Sequence, residues 1–335
     1  MTAIYLVTSF VISALLTRRF CDPASWLYVL DHPNERSLHS RPIPRSGGLA
    51  ILTAILLTWL IMAITSVLAA DMIWIGAGAI TVSAISFLDD RLTIHPAYRL
   101  IIHAAVAGML VYAGFYLPVL ELPGMVLRWP EAVGMVISLL FVIWMINLYN
   151  FMDGIDGLAA GMAVIGFGFL AIIGWLAGDL QYALASLIVT GAAAGFLLSN
   201  FPPARIFMGD AGSSLFGFLA AAMALWGSRR NVFPIWVAVL IFSPFIVDAT
   251  ITLVRRFLCR EKVWRAHKSH YYQRLVQLGW SHKKTAAWEY ILMMACGLSA
   301  LWSTGHSPTL RWFVLGAWAL IYGFLIYLVS RLEAR

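Results

Sequence analysis

Residues 132–149 read AVGMVISLLFVIWMINLY, and residues 150–157 continue as NFMDGIDG. The first string runs eighteen positions without a charge, close to the ~20 apolar residues that carry an α-helix across a bilayer. The second is a polar turn punctuated by glycines. Moving outward, apolar stretches recur near 2–17, 48–70, 72–88, 100–117, 158–177, 180–199, 213–227, 232–257, 286–303 and 310–330. Continuous runs of this length exclude a transmembrane β-barrel, whose strands alternate apolar and polar over ~10 residues. The 335 residues are 61% hydrophobic and 12% charged, against ~25% charged in an ordinary soluble protein, so a water-soluble surface is excluded too. The expected architecture is all-α: a polytopic membrane protein of about 10–11 transmembrane helices, forming one integral-membrane domain over residues 1–335.

The charges sort by side. No Lys or Arg precedes the first apolar stretch, and Arg18 and Arg19 follow it, which places the N-terminus outside. With alternating crossings, the loops around 18–47, 89–99, 150–157, 200–212 and 255–285 and the C-terminus are cytoplasmic, and they hold 19 of the 23 Lys and Arg residues. Only Arg128, Arg229, Arg230 and Arg311 fall opposite, with Arg229–Arg230 the discordant pair. The net charge of +7 therefore reflects the positive-inside bias, and the lipid bilayer, not nucleic acid, is the expected partner. Cys21, Cys259 and Cys296 stand far apart, without disulfide or zinc spacing.

Asp89, Asp90, Asp153, Asp156, Asp210 and Asp248 all lie at or near the cytoplasmic helix ends. Carboxylates at membrane depth are costly and characteristically face a polar cavity, so six on one face suggest a shared site. Asp89-Asp90-Arg91 closes an apolar helix, with Arg99 following; adjacent carboxylates are tolerated when they share a cation or when one serves as a base. Asn147, Asn150, Asp153 and Asp156 offer oxygen ligands at three-residue steps, beside Gly154 and Gly157. Phe207-Met-Gly-Asp210-Ala-Gly-Ser213 is a turn leading into a helix, whose free amides suit an anion while Asp210 suits a hard cation. The longest loop carries Arg265, His267, Lys268, His270 and Arg274. The pairs Gly157/Gly161 and Gly191/Gly195 read as close helix packing. Cation-binding carboxylates and phosphate-seeking cations on one face point to chemistry on a phosphorylated substrate.

The order Asp-Asp, Asn-x-x-Asn-x-x-Asp-Gly-x-Asp-Gly, Gly-Asp-x-Gly-Ser and a histidine-bearing basic loop resembles the polyprenyl-phosphate N-acetylhexosamine-1-phosphate transferases. The segment from Asp31 to Gly48, with Arg36, His39 and Arg45, is similar to that family's loop ahead of its second helix and is expected at the lipid phosphate. The resemblance covers about residues 30–280. It implies transfer of a sugar 1-phosphate from a UDP-N-acetylhexosamine to undecaprenyl phosphate, with release of UMP, in the bacterial inner membrane. Mg²⁺ is the implied cofactor, with Mn²⁺ as the substitute. By the resemblance Asp89 and Asp90 are catalytic, Asp89 deprotonating or orienting the lipid phosphate. Asp210 is the main metal ligand and Asn150 a second. Arg99 meets the diphosphate, Gly154, Asp156 and Phe207 meet the uridine, and His267 and His270 the sugar; Asn147, Asp153, Arg265 and Lys268 complete the substrate contacts.

The peptidoglycan branch carries adjacent histidines where this chain has Ala-His-Lys-Ser-His-Tyr-Tyr-Gln-Arg, which argues against a muramoyl-pentapeptide donor. The pattern looks more like the O-antigen-initiating branch, which takes UDP-GlcNAc or 6-deoxy relatives such as UDP-FucNAc and UDP-QuiNAc. His103 stands where Gln is expected, and a lone helix histidine is most simply a packing residue. An ion-coupled transporter would instead place its carboxylates near the midplane between repeats. The sequence leaves open the role of Asp248, direct attack against a covalent intermediate, and assembly as a homodimer.

Overall fold

The computed structural model describes all residues except 1, 26, 34–40, 66–69, 93, 263–266 and 334–335, so Arg36, His39 and Arg265 lie outside the described residues. The chain opens with helix α1 (Thr2–Phe20) and a minimal antiparallel pair, β1 (Leu30–Asp31) and β2 (Ile43–Pro44). Helices α2 (Gly47–Thr65), α3 (Asp71–Leu92) and α4 (Pro96–Tyr112) follow, then a hairpin of β3 (Val119–Leu122) and β4 (Met125–Arg128). Next come α5 (Glu131–Phe151), α6 (Leu158–Leu176), α7 (Leu180–Asn200) and α8 (Gly209–Arg229). The chain closes with α9 (Ile235–Ile241), α10 (Ser243–Leu258), α11 (Tyr271–Gln277), α12 (His282–Thr304) and α13 (Pro308–Glu333).

Among the described residues each of the eleven apolar stretches carries a helix, as a polytopic all-α fold requires, but not every one of these helices is long and apolar enough to cross by itself. Among the described residues eight helices are long and apolar enough to span a membrane, and nine if α9 and α10 count as one broken span. Helix α4 has 17 residues, about 25 Å at 1.5 Å per residue, short of the ~30 Å hydrocarbon core. Helix α12 begins His-Lys-Lys and carries Glu289, which dilutes its apolar run. The stretch read as 232–257 is not one helix: it bends by 79° between α9 and α10. Pro244 sits in the first turn of α10, where its missing N–H is tolerated but a helix cannot run through it unbroken.

Helix α8 is the core, buried along nearly its whole length. Its small residues allow this, since without a hydrophobic drive between helices in lipid, close backbone approach supplies the contact. A side chain at Gly217 would enter the α5 backbone at Met145 and Ile146, and one at Gly78 of α3 would strike the ring of Phe218. Three of the four paired glycines are packing positions as expected, whereas Gly157 lies just ahead of α6 with a left-handed φ of +77°. Gly191 and Gly195 receive the α1 backbone at Leu6 and Phe10, where Ser9 and Ser13 hydroxyls donate to Ile188 and Ala192 carbonyls at 2.7 Å. Gly161 packs on the ring of Tyr290.

The discordant arginines are accounted for by partners on their own side. Arg230 lies 2.5 Å from Asp179 and Arg229 lies 3.5 Å from Asp71. Arg229 also donates to the Ala113 carbonyl at 3.1 Å, so neither charge on that face is bare.

Candidate active site

Helices α3 and α5 end, and α4 and α8 begin, at one place. Two aspartates at the C-terminal end of α3 oppose the helix dipole, so cations must hold them. Arg99, in the first turn of α4, does so for Asp89: its Nη1 is 2.5 Å from Asp89 Oδ2 and 2.9 Å from Asp210 Oδ2. Asp89 Oδ1 accepts the Ile94 amide at 2.6 Å. Arg45 holds Asp90, with Nη1 at 3.4 Å from Oδ1 and 3.6 Å from Asp31, while Nη2 donates to the Asp90 carbonyl. Asp90 Oδ2 is buried with no hydrogen-bond partner.

Backbone packing fixes this cluster. Phe207 N donates to Pro44 O at 2.8 Å, Gly47 N to Phe207 O at 3.0 Å, and Gly48 N to Met208 O at 2.9 Å. Gly48 lies so close to the Gly212 backbone that no Cβ fits between them. Gly209 adopts a left-handed φ of +65°, a region glycine enters freely, and a Cβ there would lie 2.5 Å from Arg45 O and 2.7 Å from Asp90 Oδ2. The Arg45-Ser-Gly-Gly and Gly-Asp-x-Gly-Ser segments are thus two halves of one cradle.

The polar turn after α5 extends the site. Asn150 Nδ2 donates to Ser213 Oγ at 3.0 Å, one turn from Asp210. Asp156 accepts the Ala204 amide at 3.0 Å and pairs with His282 at 3.3 Å. Enclosure, reinforced by Asp210 and Asp156 nearby, pushes the Asp153 carboxyl up to about 8. Asn147 instead donates to Ile143 O along its own helix at 2.7 Å, and no described contact brings it to the carboxylates.

The histidine loop meets this turn through α11. Tyr272 donates from Oη to Phe151 O at 3.0 Å, and its ring tip fills the space a side chain at Gly154 would need. The His270 ring lies near-parallel to those of Phe151 and Tyr272, with ring centroids at 6.2 and 6.0 Å, and its centroid is 4.9 Å from that of His267. Desolvation first, then His270 and Arg256, hold the His267 imidazole down at about 4 against the opposing pull of Asp248. Lys268 contributes its carbonyl, which accepts from Gln277 Nε2 at 2.5 Å. The loop hangs on Asp248: Oδ1 accepts from Thr252 at 3.1 Å and Tyr271 N at 3.0 Å and lies 3.2 Å from His270 Nδ1, and Oδ2 accepts Tyr272 N at 3.1 Å.

These motifs have counterparts in known proteins. The family model described as Glycosyl transferase family 4 matches residues 72–228. A probable undecaprenyl-phosphate N-acetylglucosaminyl 1-phosphate transferase of Bacillus subtilis (strain 168) is 32% identical over 308 residues, covering 89% of this chain and 85% of that protein. The chain belongs to the polyprenyl-phosphate N-acetylhexosamine-1-phosphate transferase superfamily. Two further members are similar. A decaprenyl-phosphate N-acetylglucosaminephosphotransferase of Mycobacterium tuberculosis (strain ATCC 25618 / H37Rv) is 31% identical over 319 residues, 85% of this chain and 78% of its own. A phospho-N-acetylmuramoyl-pentapeptide-transferase of Shouchella clausii is 30% identical over 256 residues, 71% and 76%.

Within this superfamily member, Asp89, Asp90, Arg99, Asp210 and Arg45 form one cluster, and Asp153, Gly154 and Asp156 link it to His270. Phe207 takes part through its backbone. Three supporting residues escaped the motifs. Asn200 accepts the Gly157 amide at 3.0 Å and donates to Ile206 O at 2.9 Å, tying the turn after α5 to the approach to α8. Tyr290 donates to Gly157 O at 2.6 Å. His282 faces Asp156; its place in a His-Lys-Lys helix start was the available signal. His103 is buried with both ring nitrogens unpartnered, so packing alone leaves its polar atoms unsatisfied.

Proposed function

We propose that this protein transfers N-acetylhexosamine 1-phosphate from a UDP-sugar to undecaprenyl phosphate at the cytoplasmic face of a bacterial inner membrane, with the N-terminus periplasmic. The product is undecaprenyl-diphospho-sugar, the first lipid-linked intermediate of a surface polysaccharide such as O-antigen, and UMP is released. The observation that carries the reading is Arg99 bridging Asp89 and Asp210 next to a buried Asp90 oxygen with no partner. UDP-GlcNAc is the first donor to consider, because the Bacillus and Mycobacterium relatives are named for N-acetylglucosamine; the 6-deoxy donors UDP-FucNAc and UDP-QuiNAc come next.

In the reaction we propose, a lipid phosphate oxygen attacks the β-phosphorus of the UDP-sugar. The new P–O bond forms as the bond from the β-phosphorus to the bridging oxygen breaks, and UMP leaves with that electron pair. Asp89, fixed by Arg99 and the Ile94 amide, orients the incoming lipid phosphate and takes any proton it carries. Arg99 and Arg45 supply positive charge where the transferring group gains negative charge, Arg99 exchanging a carboxylate for the diphosphate when donor enters. Direct attack is favoured, since nothing requires a covalent step.

Mg²⁺ is the cofactor that suits the donor set, with Mn²⁺ as the substitute. Among the described residues no group of three or more His, Cys, Asp or Glu side chains forms a cage, and Mg²⁺ needs none, being held through one or two carboxylates and substrate phosphates. Asp210 and Asp90 Oδ2 would hold it, with the Asn150 carbonyl adjoining. When bound, it would neutralise phosphate charge.

A radiolabel transfer assay on purified protein tests the reading, with undecaprenyl phosphate, Mg²⁺ and a panel of UDP-GlcNAc, UDP-GalNAc, UDP-FucNAc, UDP-QuiNAc and UDP-MurNAc-pentapeptide. The expected result is a chloroform-soluble product with one of the first four, lost in EDTA and regained with Mg²⁺. Product with the pentapeptide alone would reverse the donor assignment, and no product with any donor would defeat the proposal.

A further inference from the structure

We propose that Asp248 is a positioning residue that fixes the tautomer of His270, so that Nε2 faces the UDP-sugar as a hydrogen-bond acceptor for a sugar hydroxyl or the acetamido N–H. The proposal rests on the reading of the α11 loop as the donor-sugar contact. Asp248 sits in α10 just past the break, buried, and receives three hydrogen bonds, two on Oδ1 and one on Oδ2, with His270 Nδ1 a further contact of Oδ1. An ionised carboxylate only accepts. The 3.2 Å contact from His270 Nδ1 to Oδ1 therefore requires the proton on Nδ1, and the neutral ring carries its lone pair on Nε2.

Several observations make this an arrangement for orienting the ring. The two amides on Asp248 belong to Tyr271 and Tyr272, the residues directly after His270, so one side chain sets both the backbone direction and the ring. The rings of Phe151 and Tyr272 lie near-parallel to the imidazole, at 25° and 18° with centroids 6.2 and 6.0 Å away, and the imidazole is buried, which limits its rotation. Among the described residues Nε2 has no hydrogen-bond partner. Tyr272 reaches Phe151 O, which joins the oriented ring to the turn carrying Asp153 and Asp156. An Nε2 acceptor suits a hydroxyl or amide N–H and not a phosphate oxygen, so this histidine reads the sugar and leaves the diphosphate to Arg99.

The test uses the full chain in detergent. ¹H–¹⁵N spectra of histidine-labelled protein at a pH where the ring is neutral, with His270 assigned by its loss in His270→Gln, are expected to show the Nδ1–H form. An Nε2–H form in the wild type would overturn the proposal whether or not any transfer is detected. In Asp248→Asn the amide can donate to Nδ1, and the expected result is a switch to Nε2–H. For transfer, Asp248→Asn should raise donor KM on the order of tenfold, as loss of a group orienting a functional histidine does, with a smaller change in kcat. His270→Gln keeps a polar group near the Nε2 position, so adding Asp248→Asn to it should cost little further in donor KM. Equal cost in both backgrounds would show Asp248 acting through the α11 backbone alone and would sink the tautomer role. Absence of transfer with every UDP-sugar would remove the function proposed above while leaving the spectroscopic result to stand or fall by itself.

Discussion

The carboxylate cluster and the histidine loop are held in place by different means. Around Asp90 and Asp210 the restraint is backbone against backbone: Gly48 on Gly212, Gly209 on Arg45, and amides of 47 and 48 on carbonyls of 207 and 208. Around His270 the restraint is side chains reaching from far away: Asp248 beneath the loop, Phe151 beside the ring, and Glu333 at the end of α13 paired with Arg274. A phosphoryl transfer common to a whole superfamily needs one fixed geometry, whereas a loop proposed to read the sugar must accept sequence change. A glycine packed on backbone leaves a side chain no room, and a hung loop can be re-hung.

The largest effect should come from the rigid region. Asp210→Asn is expected to lower kcat by about 10²–10³, the scale of removing one preorganised electrostatic group from a transition state, with the thermal unfolding profile unchanged. Near-normal turnover in the purified variant would move the metal and diphosphate role elsewhere. Gly48→Ala should act on folding instead, because its Cβ would meet backbone alone, at Gly212 and at the Met208 carbonyl. Overpacking typically costs about 1–3 kcal/mol, so a lowered Tm and loss of transfer together are expected. An unchanged Tm would mean the cradle is looser than its distances say.

That contrast also explains what could be read from sequence. The all-helical membrane fold, the carboxylates at helix ends and the Gly191/Gly195 pair are local properties, visible in runs of a few residues. So were Asp89, Asp90, Arg99 and Asp210, since the motifs that carry them are short and come together through adjoining helix ends. Asp248 stood out as an acidic residue but had no legible role, because its partners lie 22 to 24 residues ahead. Asn200 and Tyr290 act through single bonds to Gly157 from 43 and 133 residues away. A hydropathy run records apolar residues but not the bend at Phe242, so the break inside the stretch 232–257 was not legible.

The loop itself should respond in specificity more than in rate. Exchanging residues 265–274 for a relative's loop is expected to change the ranking of UDP-sugars by more than it changes kcat with the preferred one. An unaltered ranking would assign donor choice to the turn at 153–156. Gly154→Ala gives the graded version, as its Cβ would displace Tyr272, a side chain, and not backbone. A several-fold rise in donor KM is expected with a smaller loss of Tm than in Gly48→Ala, since the group that must give is the tip of a buried side chain and not backbone.

The smallest effect concerns pH. His267 is held down at about 4 from an ordinary 6.5 because burial, His270 and Arg256 disfavour its charged form, with Asp248 opposing. Between about 4 and 6.5 the unfolded chain therefore binds more protons at this residue than the folded one, and folding stability rises with pH. The contribution is complete above about 6.5 and is lost progressively as pH falls toward 4. His267→Gln removes the titration while keeping a polar side chain for Ser269, which now lies 2.8 Å from Nδ1. The variant should lose less Tm than the wild type on going from pH 7 to pH 5, by a few degrees at most since the residue is only half-buried. Parallel Tm curves would place the acid sensitivity outside the loop, and a steeper fall in His267→Gln would mean that the neutral ring is not what the loop protects.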